Sequence, residues 1–339
     1  MKKLLALLVA LMLTATAAFA LAEDASPIAI KALILPKFES GEMAGDFPGE
    51  AQYYYEAYCM GGEEYDIVGG FESNKLYVKD GIALYVTGMG KVNTALSLQA
   101  ILMDSRFDFS NAYIISTGCA GSAVEYGVMG DVFVITATID YDLGHHADPR
   151  ELVNETTTTW FHDGGYDSSS YKILNQELCD KVYDLVKDVQ IETTEKTRAF
   201  MAAAFDNAEW AVRDPKVLRG TTVTGDNYWK GAYDHANAVL MTETYGCPDP
   251  YALTEMEDNA LAVVLDRMGM LDRYIIIRDS VNTDEFMNGA SPESLWDPNF
   301  EDSLASESSV ESADIFATAM KNNFTVGSVV VNAILNGEL

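Results

Sequence analysis

Short apolar runs, closed by glycine or polar residues, alternate along the chain with segments of helical spacing. Ile28 to Leu35 reads as a buried central strand ending at Pro36-Lys-Phe-Glu39, before an acidic, glycine-rich loop, Ser40 to Gly49. A helix is predicted over Glu50 to Cys59, stopped by Gly61-Gly62, and Lys79-Asp80-Gly81 joins Lys75 to Val78 with Ile82 to Val86 as a hairpin. The stretch Ala83 to Ile139 organises the rest. One strand runs into Thr87-Gly-Met-Gly90 and a helix from Lys91 to Met103; a second, Ala112 to Ile115, runs into Thr117-Gly-Cys-Ala-Gly121; a third lies at Asp131 to Ile135. Two glycine-rich turns beside each other imply an amide-lined crevice suited to an anionic or hydroxyl-rich small ligand.

Asp140 to Ser170 has no regular period and reads as a functional loop or binding rim. Helical spacing follows at Tyr171 to Lys187 and Thr193 to Trp210, then a strand at Val217 to Val223 closed by Thr224-Gly-Asp-Asn-Tyr-Trp-Lys-Gly231. A helix is predicted over Leu253 to Met268, a buried strand at Tyr274 to Ile277 running into Arg278 to Asn282, and one or two closing helices over Glu311 to Leu335. With no internal repeat and no long linker, the alternation predicts a layered α/β fold.

The N-terminus refines this picture. Lys2 and Lys3 precede an apolar run, Leu4 to Leu13, and small residues through Ala18-Phe-Ala-Leu-Ala22. That is the pattern of a secretory signal peptide cleaved after Ala20 or Ala22, leaving 23–339 as one exported domain with no membrane insertion. Loss of the two lysines would take the formal net charge from −30 to −32. Such a surface repels nucleic acid and anionic lipid. The four cysteines, Cys59, Cys119, Cys179 and Cys247, follow no metal-ligand spacing, and His145 and His146 read as loop histidines, so neither a metal nor another cofactor is expected.

Five motifs then carry a resemblance. Thr87 to Ala95, Thr117 to Gly121 with Gly127 to Val132, Thr224-Gly-Asp226, Glu255-Met-Glu257 and Arg278 to Asn282 occur in the order typical of the purine nucleoside phosphorylase and methylthioadenosine nucleosidase superfamily. Within it, the export signal, the long middle region and the endings Gly225 to Gly231 and Arg278 to Asn282 resemble the purine nucleoside permease family. The resemblance implies a three-layer α/β/α fold with a central mixed, twisted sheet, a purine nucleoside as ligand, and a homo-oligomer.

It also implies roles. Met256 and Glu257 match a ribose-binding pair, in which the Glu257 carboxylate accepts from the 2′ and 3′ hydroxyls and stabilises positive charge developing on the sugar. Glu255 fits the plainer part of a capping acid near a helix start. Tyr228 and Trp229 fall where relatives place an aromatic against the base, and Asn282 where they place the leaving-group contact. As an amide, Asn282 recognises purine N7 without serving as a full general acid, and Asp279 and Asp284 are nearby carboxyls. Gly88, Gly90, Gly118 and Cys119, with Thr117 and Arg278, complete the crevice. Phosphorylases commonly carry an arginine and a hydroxyl where Ser116 and Cys119 stand, so phosphate is left with Lys37, Lys91 and Arg278 as contacts, and water is favoured as acceptor. Glu39 and Glu42 are the candidates to position that water. Hydrolysis of purine ribonucleosides is the first expectation, and a soluble nucleoside-binding protein serving uptake is the second.

Overall fold

A computed structural model describes residues 26–154, 158–287 and 310–339; the signal-like segment and the Thr156 end of the threonine run lie outside these. The main sheet has ten strands: β1 (Ala32–Leu35), β2 (Glu63–Asp66), β3 (Lys75–Lys79), β4 (Ile82–Leu84), β5 (Tyr113–Ser122), β6 (Val132–Asp140), β7 (Tyr171–Ile173), β8 (Val217–Thr224), β9 (Tyr251–Glu255) and β10 (Tyr274–Thr283). Their order is β7-β6-β8-β9-β5-β1-β4-β3-β2, with β10 paired to both β5 and β6. Pairing is mixed: β5 runs parallel to β1 and β10, whereas β10 meets β6 antiparallel.

These pairings close a ring through β6, β8, β9, β5 and β10. The β9–β5 contact is limited to Leu253 opposite Ser122 and Thr254 opposite Gly121. The C-terminal ends of the two strands therefore converge at one place, where ligands bind in sheets of this kind.

The helices are α1 (Gln52–Tyr54, continuing as a π turn, Tyr55–Cys59), α2 (Lys91–Leu102), α3 (Asp167–Ser170), α4 (Gln176–Val186), α5 (Glu195–Ala204), α6 (Ala232–Thr244), α7 (Asp258–Met268) and α8 (Val310–Asn336). Alternate residues of the strands feed opposite cores, as a period of two requires. Leu33, Leu35, Tyr274 and Ile276 pack with Leu98 and Ile101 of α2 and Leu261 and Leu265 of α7. Ala32, Ile34, Ile275 and Ile277 pack with Tyr54 of α1, Val182 of α4 and Val326, Val330 and Ile334 of α8. The layered α/β/α architecture expected from the sequence is thus present.

Several boundaries differ from the sequence expectation. Ile28 to Leu35 is broken into an edge pair, Ile28–Ala29 against Phe107–Asp108, and β1 proper. The second glycine-rich segment is not a turn, because Thr117 to Gly121 continues β5 and pairs along its whole length with β10. Leu253 to Met268 is not one helix. Ala252 and Leu253 are buried as strand residues between β8 and β5, and α7 starts only at Asp258. Likewise Tyr171 to Ile173 is a strand on β6, and Asn175 then starts α4 by accepting from Leu178 N.

Candidate functional site

The converging strand ends bury a cluster of charge. Arg278, 1% exposed, enters from the middle of β10. Its Nε and Nη2 donate to Asp258 at 2.9 and 2.8 Å, Nη2 also reaches Glu257 at 3.0 Å and Glu255 at 3.2 Å, and Nη1 donates to Cys119 O at 3.0 Å. Burial opposes its charge, yet Asp258, Glu255 and Glu257 together hold the guanidinium well above its ordinary value. Burial works to raise Asp258, but Arg278 outweighs it and leaves this carboxyl below its usual range.

Glu255 ends β9 and organises the start of α7. Its Oε2 accepts from the Glu257 and Asp258 amides at 2.6 and 2.8 Å, and its Oε1 accepts from the hydroxyls of Thr222 and Thr224. It is therefore a capping acid, matching its plainer reading. Burial pushes it up to about 7, with Asp258 adding and Arg278 opposing. Glu257 lines the cavity: Oε1 accepts from Gly90 N at 2.9 Å and Oε2 from Arg278. Burial raises it as well, against Arg278 and Lys37.

Lys37, just beyond β1, is also fully buried. Its Nζ donates to Leu35 O, to Ser116 Oγ at 2.7 Å and to Thr117 O at 3.1 Å. Burial, helped by Arg278, pulls its ammonium down to about 8. Ser116 passes the contact on by donating to Asp258 at 2.6 Å.

A cavity of about 110 Å³ opens onto this cluster, lined by Lys37, Phe38, Glu50, Met89, Cys119, Gly121, Tyr228, Met256, Glu257, Arg278 and Asn282 among others. It joins a larger lobe of about 320 Å³ through Lys37, Phe38 and Met89, and a small annex through Tyr228, Met256 and Asn282. Asn282 Nδ2 donates to Tyr228 Oη at 2.9 Å, so these two form one wall. Two glycines of β5 make the space. A Cβ at Gly118 would stand 2.4 Å from Glu50 Oε1, and one at Gly121 would stand 2.6 Å from Asn282 Oδ1.

Most expected site residues meet here, with specific departures. Glu39 borders the larger lobe rather than the charged cavity, and Glu42 lines neither. Glu39 accepts from the amides of Ser40, Gly49, Ala51 and Gln52, capping α1, and Glu42 is exposed. From this acidic segment it is Glu50 that lines the charged cavity; it is buried and accepts from Lys37 N at 2.6 Å and Cys119 N at 2.8 Å. The sequence pattern places Glu50 only at the start of a helix.

Thr117 and Gly118 are not among the residues that line the cavity. Thr117 donates to Asn323 of α8, and Gly118 serves by lacking a side chain. Trp229 is buried and stacked on Tyr141 at 5.1 Å, and it borders the annex beside Tyr228. Gly88 borders the larger lobe rather than the charged cavity. Burial, with Glu50 and Asp279 adding, pushes the Cys119 thiol well up, so it stays protonated.

Gly90 N is taken by Glu257 and Lys91 N by Asp226 at 2.7 Å, so protein carboxylates occupy the amides that open α2. The Lys91 side chain is spent on Asp140 and Asp142, at 2.8 Å each. Asp279 bonds Asn323 on the far side of β10, and Asp284 accepts from Val124 N, His235 and Tyr251. His145 and His146 pair with Asp163 and Tyr141 O, outside the cavity lining.

A profile of the purine nucleoside permease family matches residues 29–338. The chain belongs to this family. A probable purine nucleoside permease of Schizosaccharomyces pombe is 29% identical over 230 residues, covering 60% of this chain and 64% of that one. The purine nucleoside permease of Candida albicans is 26% identical over 222 residues, 58% and 53% of the two chains. This family member therefore spans less than two thirds of the length of either relative.

Solved structures share its fold. The 5′-methylthioadenosine/S-adenosylhomocysteine nucleosidase of Neisseria meningitidis, in complex with methylthio-immucillin-A, superimposes with a TM-score of 0.53 at 15% identity, over 89% of this chain and 99% of that one. The futalosine hydrolase of Helicobacter pylori gives 0.51 at 16% identity, over 87% and 97%. Among the described residues of this permease-family chain, no helix is long and apolar enough to cross a membrane.

Proposed function

We propose that the chain binds purine nucleosides in the Glu257 cavity and hydrolyses their N-glycosidic bond. The observation that carries this reading is that Glu257 and Glu50 line one small cavity whose two cations already bond to protein partners. Glu257, held by Gly90 N and Arg278, would accept from the ribose hydroxyls and stabilise an oxocarbenium-like sugar. Glu50, with one amide donor on each oxygen, keeps lone pairs to orient and deprotonate a water. Tyr228 and Asn282 would hold the base. Phosphate is disfavoured because Lys37 and Lys91 donate to protein acceptors and Arg278 is already paired with Glu255, Glu257 and Asp258.

The second reading, nucleoside binding for uptake without turnover, is supported by Asn282, which gives the base no proton, and by the permease name of the relatives. Export by the Lys2 to Ala22 segment and self-association belong to the same proposal.

The test is incubation with inosine, guanosine and adenosine, with and without phosphate. Free base without phosphate is the expected result. Base only with phosphate would make the protein a phosphorylase, and bound but intact nucleoside would make it a binding protein. Glu257→Ala should weaken binding and slow turnover by at least about 100-fold, a typical loss for one charge-stabilising group; unchanged behaviour would remove Glu257 from the site.

A further inference from the structure

An amide at Asn282 gives a departing base no proton, but the annex beside it holds a carboxyl with a route to solvent. That space, about 30 Å³, is lined by Tyr228, Trp229, Met256 and Asn282 together with Glu255 and Asp284. Glu255 is saturated: two threonine hydroxyls bond Oε1, and two amides with Arg278 bond Oε2. Asp284 is held differently. Its N–H donates to Ser122 O at 2.9 Å and its carbonyl accepts from Gly231 N at 2.8 Å, which fixes the backbone. Oδ2 accepts from Tyr251 at 2.8 Å and meets His235 Nδ1 at 2.7 Å, whereas Oδ1 accepts from Val124 N at 3.1 Å and keeps a further site for a proton.

His235 connects this carboxyl to the surface. The Asp284 side chain is fully enclosed, while that of His235, in the first turn of α6, is 22% exposed. Burial disfavours the imidazolium, but Asp284, Glu285 at 3.8 Å and Glu125 outweigh burial and hold His235 above its ordinary value. Tyr251 of β9 faces the ring edge-on, and Asp234, its neighbour on α6, is turned to Tyr141.

From this geometry we infer that Asp284 and His235 together supply the leaving-group acid: Asp284 protonates the departing purine from the annex, and His235 renews that proton from solvent. The inference rests on the nucleoside hydrolase reading above. As the C1′–N9 bond breaks, its electron pair goes to the purine, and the proton held by His235 passes through Asp284 to the base. Water oxygen bonds to C1′, and the proton it loses goes to Glu50 and then to solvent. His235, left neutral, takes a proton back from solvent, so one nucleoside and one water give ribose and a neutral base. Asp284 is then the catalytic residue and His235 acts through it, while Asn282 and Tyr228 recognise the base.

The test follows base release from inosine without phosphate between about pH 5 and pH 9, with inosine binding measured by equilibrium dialysis. An acid that must carry its proton works below its titration and fails above it, so wild-type turnover should fall as pH rises past the ordinary histidine value of about 6.5. His235→Asn, whose Nδ2 can stand in for Nδ1 against Asp284, should lower turnover near pH 6 by about tenfold, bind inosine within about twofold of wild type, and lose that alkaline fall. Asp284→Asn should lower turnover by about 100-fold or more. A wild-type pH profile kept by His235→Asn, or lowered evenly at every pH, overturns the inference and leaves the hydrolase reading standing, as does undiminished turnover by Asp284→Asn. Should Asp284→Asn fail to fold, the His235→Asn profile decides alone. Inosine bound but left intact by the wild-type protein overturns both readings together.

Discussion

Two glutamates near the first strand show how side-chain direction decides between chemistry and structure. Glu39 is spent on four backbone amides at the start of α1, whereas Glu50 sits in the space Gly118 leaves open. Glu50→Gln should keep the fold and lower base release by about 100-fold or more, the scale of a lost general base. Glu39→Gln should do the opposite, keeping turnover per folded molecule while lowering the melting temperature by about 2 °C, as loss of a cap costs about 1 kcal/mol. Kinetics and melts on the two variants separate the roles, and a catalytic loss confined to Glu39→Gln would reverse them. Residue types and order in the sequence pointed to Glu257, Arg278, Tyr228 and Asn282. They could not distinguish Glu39 from Glu50, because both lie in one acidic segment and only the chain's path after β1 turns one inward.

At the scale of elements, strands buried on both faces lose the alternation that distinguishes them from helices. The Ala-Leu-Thr run of β9 is apolar enough to merge with the helical spacing of α7, so the boundary that places Glu255 and Glu257 was invisible in the pattern. The glycines of β5 misled in the other direction. They read as a turn, yet they are strand residues kept small so that Glu50 and Asn282 can approach. The closing helix was legible from its period, but not its polar contribution. Asn323 of α8 accepts from Tyr54 and Thr117 and donates to Asp279 at 2.8 Å, locking α1, β5 and β10 together behind the cavity. Asn323→Ala should cost about 3 kcal/mol by stranding these buried groups. Chemical denaturation measures this directly, and a loss below about 1 kcal/mol would mean that the network does not brace the sheet.

For the whole molecule, 52 acidic against 22 basic residues set a surface charge, but the buried carboxyls set the pH response. Burial raises Asp131, Asp140 and Asp279, as well as Glu257, and brings Glu255 to about 7. A carboxyl raised on folding keeps a proton that the unfolded chain releases near its ordinary value, so stability falls as pH rises across that interval, from about 4.5 to about 7 for Glu255. His235 acts in the same direction. Burial lowers it, but Asp284 and Glu285 more than compensate; stability from its raised value is complete below the ordinary histidine range and is lost above it. Asp258 opposes, since its lowered value stabilises at higher pH, but that gain is already complete by about pH 5. The melting temperature should therefore be higher at pH 5.5 than at pH 8, by about 2 °C if the net effect is about 1 kcal/mol in a chain of this size. Added salt should narrow the gap only slightly, because these charges are buried and poorly screened. Melts across this range that rise with pH would show the cluster to be fully ionised, and Glu255 to be held as a carboxylate by its amide and hydroxyl donors.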